Sequence, residues 1–173
     1  MADPAKYSAI APLRNGRNTQ IRALRADDRA NFMAAVERTS DASLYRRFFG
    51  AKRHFSEQET EHYLDVDFIA HVALVAILEE DGQPVIAGGA RYVVSGPSKA
   101  EVAFVVADQY QGQGIGATLL SHLIIVARQA GLKQLIAEVL PENAAMLKVF
   151  YQSGLQVTTK REPRVVHIIM QLS

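Results

Sequence analysis

The stretch from Tyr110 to Leu120, YQGQGIGATLL, constrains the fold more than any other part of the chain. Gly112, Gly114 and Gly116 lead directly into an apolar segment of helical spacing. Ile115, Leu119, Leu123, Val126 and Ala130 fall on one face, and Gly131 stands where a C-terminal cap glycine belongs. Before the loop, AHVALVAILEE, VIAGGARYVV and AEVAFVV read as three strands. Only the short turns DGQP and SGPSK separate them, so they must pair as antiparallel hairpins. After the loop, KQLIAEVL is reached through the long helix, which allows it to lie parallel to the strand before the loop. The chain is thus expected to build a mixed sheet with the glycine loop at its parallel crossover.

The flanks extend this frame. Thr19–Arg25 reads as a first strand. Asp27 and Asp28 offer helix caps, with Phe32, Met33 and Val36 at helical spacing after them. SDASLYRRFF reads as a second short helix, and Ser56 with Glu59 has the capping-box spacing of a third. Asn143 caps a last helix ending near Gly154, and LQVTT and VVHIIMQL close the chain as strands. The expectation is an α/β (α+β) fold: a mixed, mostly antiparallel twisted sheet of about seven strands flanked by about four helices. Residues 1–17 mix Pro, Gly and Asn with basic residues and are expected to be loosely ordered. Residues 18–173 are expected to form a single domain, with no internal repeat or linker.

Three readings of the glycine loop compete. A phosphate-binding P-loop is excluded, because no Gly-Lys-Ser/Thr follows. Gly112, Gly114 and Ala117 satisfy the dinucleotide pattern G-x-G-x-x-G/A, and Glu138 in the next strand supplies an acid. That pattern normally opens a doubly wound parallel sheet. Here antiparallel hairpins precede it and the chain ends at residue 173, which disfavours it. In the third reading, backbone N–H groups of the loop and helix start converge on a diphosphate, with no Cβ atoms in the way. A tight turn alone would need one glycine; three favour a ligand.

The run Gln111, Gly112, Gln113, Gly114, Ile115, Gly116 fits Q/R-x-x-G-x-G/A and resembles the pyrophosphate loop of the GNAT acetyltransferase superfamily. The order of elements resembles that superfamily across nearly the whole chain, and PENAAMLKVFYQSGL resembles its later Asn-opened helix. SLYRRFF, the Ser-rich helix start after it and AEVAFVV resemble bacterial Pat-type protein lysine acetyltransferases. The resemblance implies N-acetyl transfer from acetyl-CoA to a primary amine, in particular a lysine side chain of a protein such as an AMP-forming acyl-CoA synthetase. Acetylation of a small amine, or CoA sensing without turnover, stands as the alternative. By resemblance, the loop residues through Ala117 would hold the diphosphate. Phe104, Val105 and Val106 would hold the pantetheine arm through their backbone, and Asn143 would lie near the thiol. Many such enzymes carry a Tyr four residues before the helix-ending Gly; here Phe150 occupies that position and Tyr151 is one step on.

Chemistry supplies the remaining candidate. A lysine amine, with a reference pKa of about 10.4, arrives protonated at neutral pH and needs a base. Glu101 begins the otherwise apolar AEVAFVV, where burial would raise its pKa and suit it to proton abstraction. In the enzymes it resembles, the Glu at this place is the base.

Composition limits what else is open. A net charge of +1 argues against a bulk electrostatic grip on nucleic acid. Without cysteine, no disulfide framework, thiolate metal site or cysteine nucleophile is available. The five histidines lack ligand spacing, so no metal is expected. Arg46 and Arg47 beside aromatics read as a solvated helix face, with a role in acceptor docking left open. The longest apolar run, Ala70–Leu78, is too short to span a bilayer. No signal-type segment opens the chain, and a cytoplasmic location is expected. The oligomeric state is not readable.

Overall fold

In the computed structural model, residues 3–28, 30–32, 34 and 66–172 are described. They form one eight-stranded sheet: β1 (Ser8–Pro12), β2 (Asn18–Ala23), β3 (His71–Glu80), β4 (Gln83–Gly96), β5 (Lys99–Val106), β6 (Gln134–Val139), β7 (Gln156–Arg161) and β8 (Val166–Gln171). Among the described residues it is accompanied by α1 (Ile115–Gln129) and α2 (Ala144–Tyr151), and residues 30–32 and 34 are also helical. The spatial order is β1-β2-β3-β4-β5-β6-β8-β7. Every neighbouring pair is antiparallel except β5 and β6, which run parallel across the α1 connection.

Turn chemistry sets the hairpins. Asp81 and Gly82 form a two-residue connection with φ values of 52° and 78°, the doubly positive turn that suits the right-handed twist of the strands. Between the pairs Ala76↔Gly88 and Ile77↔Ile86 the register shifts, leaving Ala87 as a bulge. Gly88 then lets β4 lie close against β5: a Cβ there would stand 2.9 Å from the Val105 carbonyl oxygen.

The N-terminus differs from expectation. Ser8–Pro12 is a strand paired with β2 from Ser8↔Arg22 to Pro12↔Asn18, so the described strands number eight. The turn between them closes through the Leu13 N–H on the Arg17 carbonyl at 2.7 Å, with Gly16 at φ 86°. Tyr7 packs edge-on against His122 of α1 and bonds its Nδ1, tying this segment to the helix. Arg22 and Asp28 make a buried two-pronged ion pair at 2.8 and 2.9 Å.

Side-chain alternation divides the core. Val72, Leu74, Ala76 and Leu78 face Ile115, Leu119, Leu123 and Val126 of α1. Ala73, Val75 and Ile77 join Leu24, Ile86 and Phe32 on the opposite face. Ala130 caps α1 and is exposed; Leu120, Ile124 and Ala127 complete its buried stripe. At its end the Gly131 N–H bonds the Arg128 carbonyl and the Leu132 N–H that of Ala127, with Gly131 at φ 83°. The helices expected from SDASLYRRFF and from Ser56 lie outside the described residues.

Candidate active site

The parallel pair β5–β6 is short. Its register covers Lys99↔Gln134, Ala100↔Leu135 and Glu101↔Ile136. Beyond Glu101, β5 continues to Val106 and β6 to Val139 without pairing, so the sheet opens into a cleft. Two connected sets of walls follow. A groove of about 300 Å³ runs from Phe104, Val105 and Val106 past the glycine loop to α2. A smaller cavity of about 50 Å³ lies in the split itself, between Val102–Phe104 and Ala137–Val139, closed by Asn143, Met146 and Phe150.

The loop is shaped for an anion. Gly112 and Gly114 sit at φ 79° and 91°, left-handed conformations in which a side chain would be strained. Gly114 is the N-cap of α1 and supplies no side-chain cap. The first intrahelical bond runs from the Thr118 N–H to the Gly114 carbonyl, so the N–H groups ahead of it point from the positive end of the helix into the groove. No acidic residue occupies the first turn. Tyr110 anchors the loop from beneath, buried with its hydroxyl donating to Glu80 at 3.2 Å.

The expected residues divide into three groups. Phe104, Val105, Val106, Gln111, Gly112, Gly114, Ile115, Gly116, Ala117 and Asn143 all line the groove. Ile115 does so at its backbone, since its side chain is core. The Gln111 amide donates to the Val106 carbonyl at 3.0 Å, joining the loop to the end of β5. Asn143 caps α2 through the Met146 N–H at 3.2 Å and borders both cavities. Phe150 is buried in the split, edge-on to Phe104, whereas Tyr151 is 47% exposed outside it. The split therefore has an aromatic wall and no phenol from Tyr151.

Gln113 is different. It is not part of the groove wall; its side chain accepts from Asn15 Nδ2 at 3.1 Å. Glu101 is also corrected in one respect. It stands at the last rung that β5 shares with β6, between Val93 and Ile136, but its side chain is exposed, so the apolar enclosure expected for it is absent. Alternation places it on the sheet face opposite Val102 and Phe104.

Several lining residues are not among those expected, and two of them are cationic. Arg14, on the β1–β2 turn, reaches the groove, and its Nε lies 3.4 Å from where a Cβ on Gly114 would stand. Its N–H bonds the Gln113 carbonyl at 3.2 Å, fixing hairpin tip and loop together. Lys148 of α2 lines the same groove. An Asn-Gly pair at residues 15 and 16 was the available signal for the turn that carries Arg14. Among the described residues, no group of three His, Cys, Asp or Glu side chains is placed to hold a metal ion.

Comparison with known proteins decides the family. The Acetyltransferase (GNAT) family matches residues 40–155. The chain belongs to the GNAT acetyltransferase family. An acetyltransferase of Pseudomonas aeruginosa is 35% identical over 138 residues, 79% of this chain and 74% of its own length. Acetyltransferase Pat of Mycolicibacterium smegmatis is 36% identical over 128 residues, which are 69% of this chain and 38% of that relative's length. The GNAT domain of S. lividans PAT superposes with a TM-score of 0.85 at 34% identity, covering 95% of this chain and 96% of its own. As a GNAT enzyme the chain is an acyltransferase that uses acetyl-CoA. The groove has features that suit such a co-substrate: its wall includes the N-terminus of α1 and the cationic Arg14 and Lys148, and the smaller cavity beside it is largely apolar.

Proposed function

We propose that this GNAT enzyme acetylates a lysine side chain of a protein, such as an AMP-forming acyl-CoA synthetase, by direct attack with Glu101 as general base. The observation that carries the mechanism is the parting of β5 and β6 immediately beyond Glu101. Acetyl-CoA laid along the groove brings its thioester into the split from the α1 side. The acceptor approaches from the other face, where Glu101 stands. The amine, once it has given its proton to Glu101 directly or through water, attacks the thioester carbonyl carbon with its lone pair. The nitrogen, cationic again in the tetrahedral intermediate, loses its second proton to water; the C–S bond breaks, the amide forms, and CoA leaves as a thiolate that takes up a proton from solvent. Phe150 in the split and Tyr151 outside it support solvent, rather than a tyrosine, in that last role. Exposure of Glu101 suits a base that must meet a side chain presented by another protein and return its proton to solvent.

The choice of a protein acceptor rests on the resemblance of SLYRRFF and AEVAFVV to Pat-type enzymes and on the likeness to S. lividans PAT. Arg46 and Arg47, whose role in acceptor docking the sequence leaves open, lie outside the described residues. Glu101→Gln tests the base: kcat should fall by about 10²–10⁴-fold while calorimetric affinity for acetyl-CoA holds. An undiminished kcat at saturation would assign the base elsewhere. Incubation with acetyl-CoA and either intact synthetases or free polyamines and aminoglycosides tests the acceptor. Efficient modification of the small amines, with every synthetase untouched, would replace the protein reading.

A further inference from the structure

Glu138 is the single charged side chain in the wall of the cavity within the split, among the described residues; its companions there are apolar or, at Asn143, a neutral amide. Its position follows from register. Glu101 pairs with Ile136, so Glu138 is two residues further along β6 and on the same face. Leu135, Ala137 and Val139 turn the other way into the α1 core. Two carboxylates therefore flank the opening on the acceptor side, Glu101 at its base and Glu138 across the gap from Ala103. His167 lies directly opposite Glu138 on β8. Its Nδ1 is 3.9 Å from Glu138 and its Nε2 is 3.3 Å from Glu162, which in turn approaches Lys160 at 3.9 Å. On the far side of the gap, Arg91 of β4 pairs with Ala103 on that same face and contacts His71 at 3.0 Å.

We propose that Glu138 is the carboxylate that docks the acceptor's ammonium group, with His167 positioning it toward the split. The proposal rests on the reading of a primary amine acceptor. Such an amine reaches the enzyme as a cation, and the cavity it must enter is otherwise uncharged and, Asn143 apart, apolar, where an unpaired charge is costly. A carboxylate at the entrance offsets that cost for the incoming group. Docking and proton removal are separate tasks, because a carboxylate that pairs with an ammonium favours its charged form. Glu138 at the entrance and Glu101 at the base of the split divide them. No bond is made or broken at Glu138. The ring of His167, held between Glu138 and Glu162, limits where the Glu138 side chain can swing. The chemistry recognised is one alkylammonium on an extended side chain.

Steady-state kinetics of Glu138→Gln test this, with two acceptors: a short lysine peptide, cationic at pH 7, and an arylamine, neutral at that pH. KM for the peptide should rise roughly 10- to 100-fold, the size expected for loss of a charge-assisted contact, with kcat changed by less than about threefold. KM for the arylamine should move far less, and KM for acetyl-CoA should hold. Glu138→Asp keeps the charge and should recover part of the loss; His167→Phe should raise the peptide KM more mildly. Equal losses for both amines, or an unchanged peptide KM, would overturn docking. A fall in kcat at unchanged KM would make Glu138 a base instead, also overturning it. Should the wild type bind acetyl-CoA yet acetylate neither amine, the acceptor reading itself falls and docking falls with it.

Discussion

Arg14 illustrates how one side chain gains a role that only the folded chain defines. It is exposed, makes no side-chain hydrogen bond or ion pair among the described residues, and lies over Gly114 at the phosphate end of the groove. Arg14→Gln should raise KM for acetyl-CoA roughly tenfold and weaken the salt dependence of binding, with kcat retained. Asp28 carries a different kind of weight. Burial alone would raise its carboxyl, but hydrogen bonds from Arg22 and the Arg25 N–H, with the charges of both arginines, hold it below the usual range. Its stabilising contribution is therefore full above the unfolded value of about 3.9 and disappears as pH falls through the lower folded one. Asp28→Asn leaves the buried Arg22 unpaired and should cost about 3 kcal/mol at pH 7 by urea unfolding. The gap from wild type should close in acid. Sequence gave no sign of this pair, since Asp27 and Asp28 offered themselves equally as caps. Strict alternation along AEVAFVV separates Glu101 from Val102 and Phe104. Its exposure follows from that alternation, because apolar neighbours in sequence are not neighbours in space along a strand.

At the scale of elements, the loop and α1 were the most legible parts. Glycine spacing, apolar periodicity and a cap glycine all pointed to one structure, and Gly131 ends the helix as expected. The three loop glycines nevertheless serve different ends. Gly112 needs its positive φ, so Gly112→Ala should lower stability by about 1 kcal/mol with a small effect on binding. Gly116 has no such constraint, and a Cβ there meets only Val149 at 3.8 Å. Gly116→Glu adds a carboxylate to the first turn, which the helix dipole favours, yet sets it where a diphosphate must approach. Tm should hold or rise while calorimetric binding of acetyl-CoA disappears; retained binding would place the diphosphate elsewhere. Leu123, fully buried beneath the sheet, supplies the packing counterpart: Leu123→Ala should cost about 2–5 kcal/mol.

For the whole molecule, the chain order of strands and turns was sufficient to anticipate a mostly antiparallel sheet with a parallel crossover at the loop. The N-terminal hairpin is hidden in the composition, because Pro, Gly and basic residues suit a loose segment as well as they suit the strands and the Asn15-Gly16 turn found here. Deleting residues 1–17 should both expose the edge of β2 and remove Arg14, lowering acetyl-CoA affinity more than Arg14→Gln alone. The rung at which the sheet parts is set by the folded register alone, since strand lengths do not say where two strands cease to pair.

That split leaves alternate backbone amides between Val102 and Val106 directed toward a neighbour that is no longer there. In deuterated buffer without ligand, those amides should exchange quickly although they belong to an interior strand, while their alternates bonded to β4 are protected. Acetyl-CoA, lying where the missing rungs would be, should slow them, and should slow β6 and β8 as well. The pantetheine arm would then complete the sheet as a strand does, and the enzyme's most cooperative folded form would be the one already loaded for reaction.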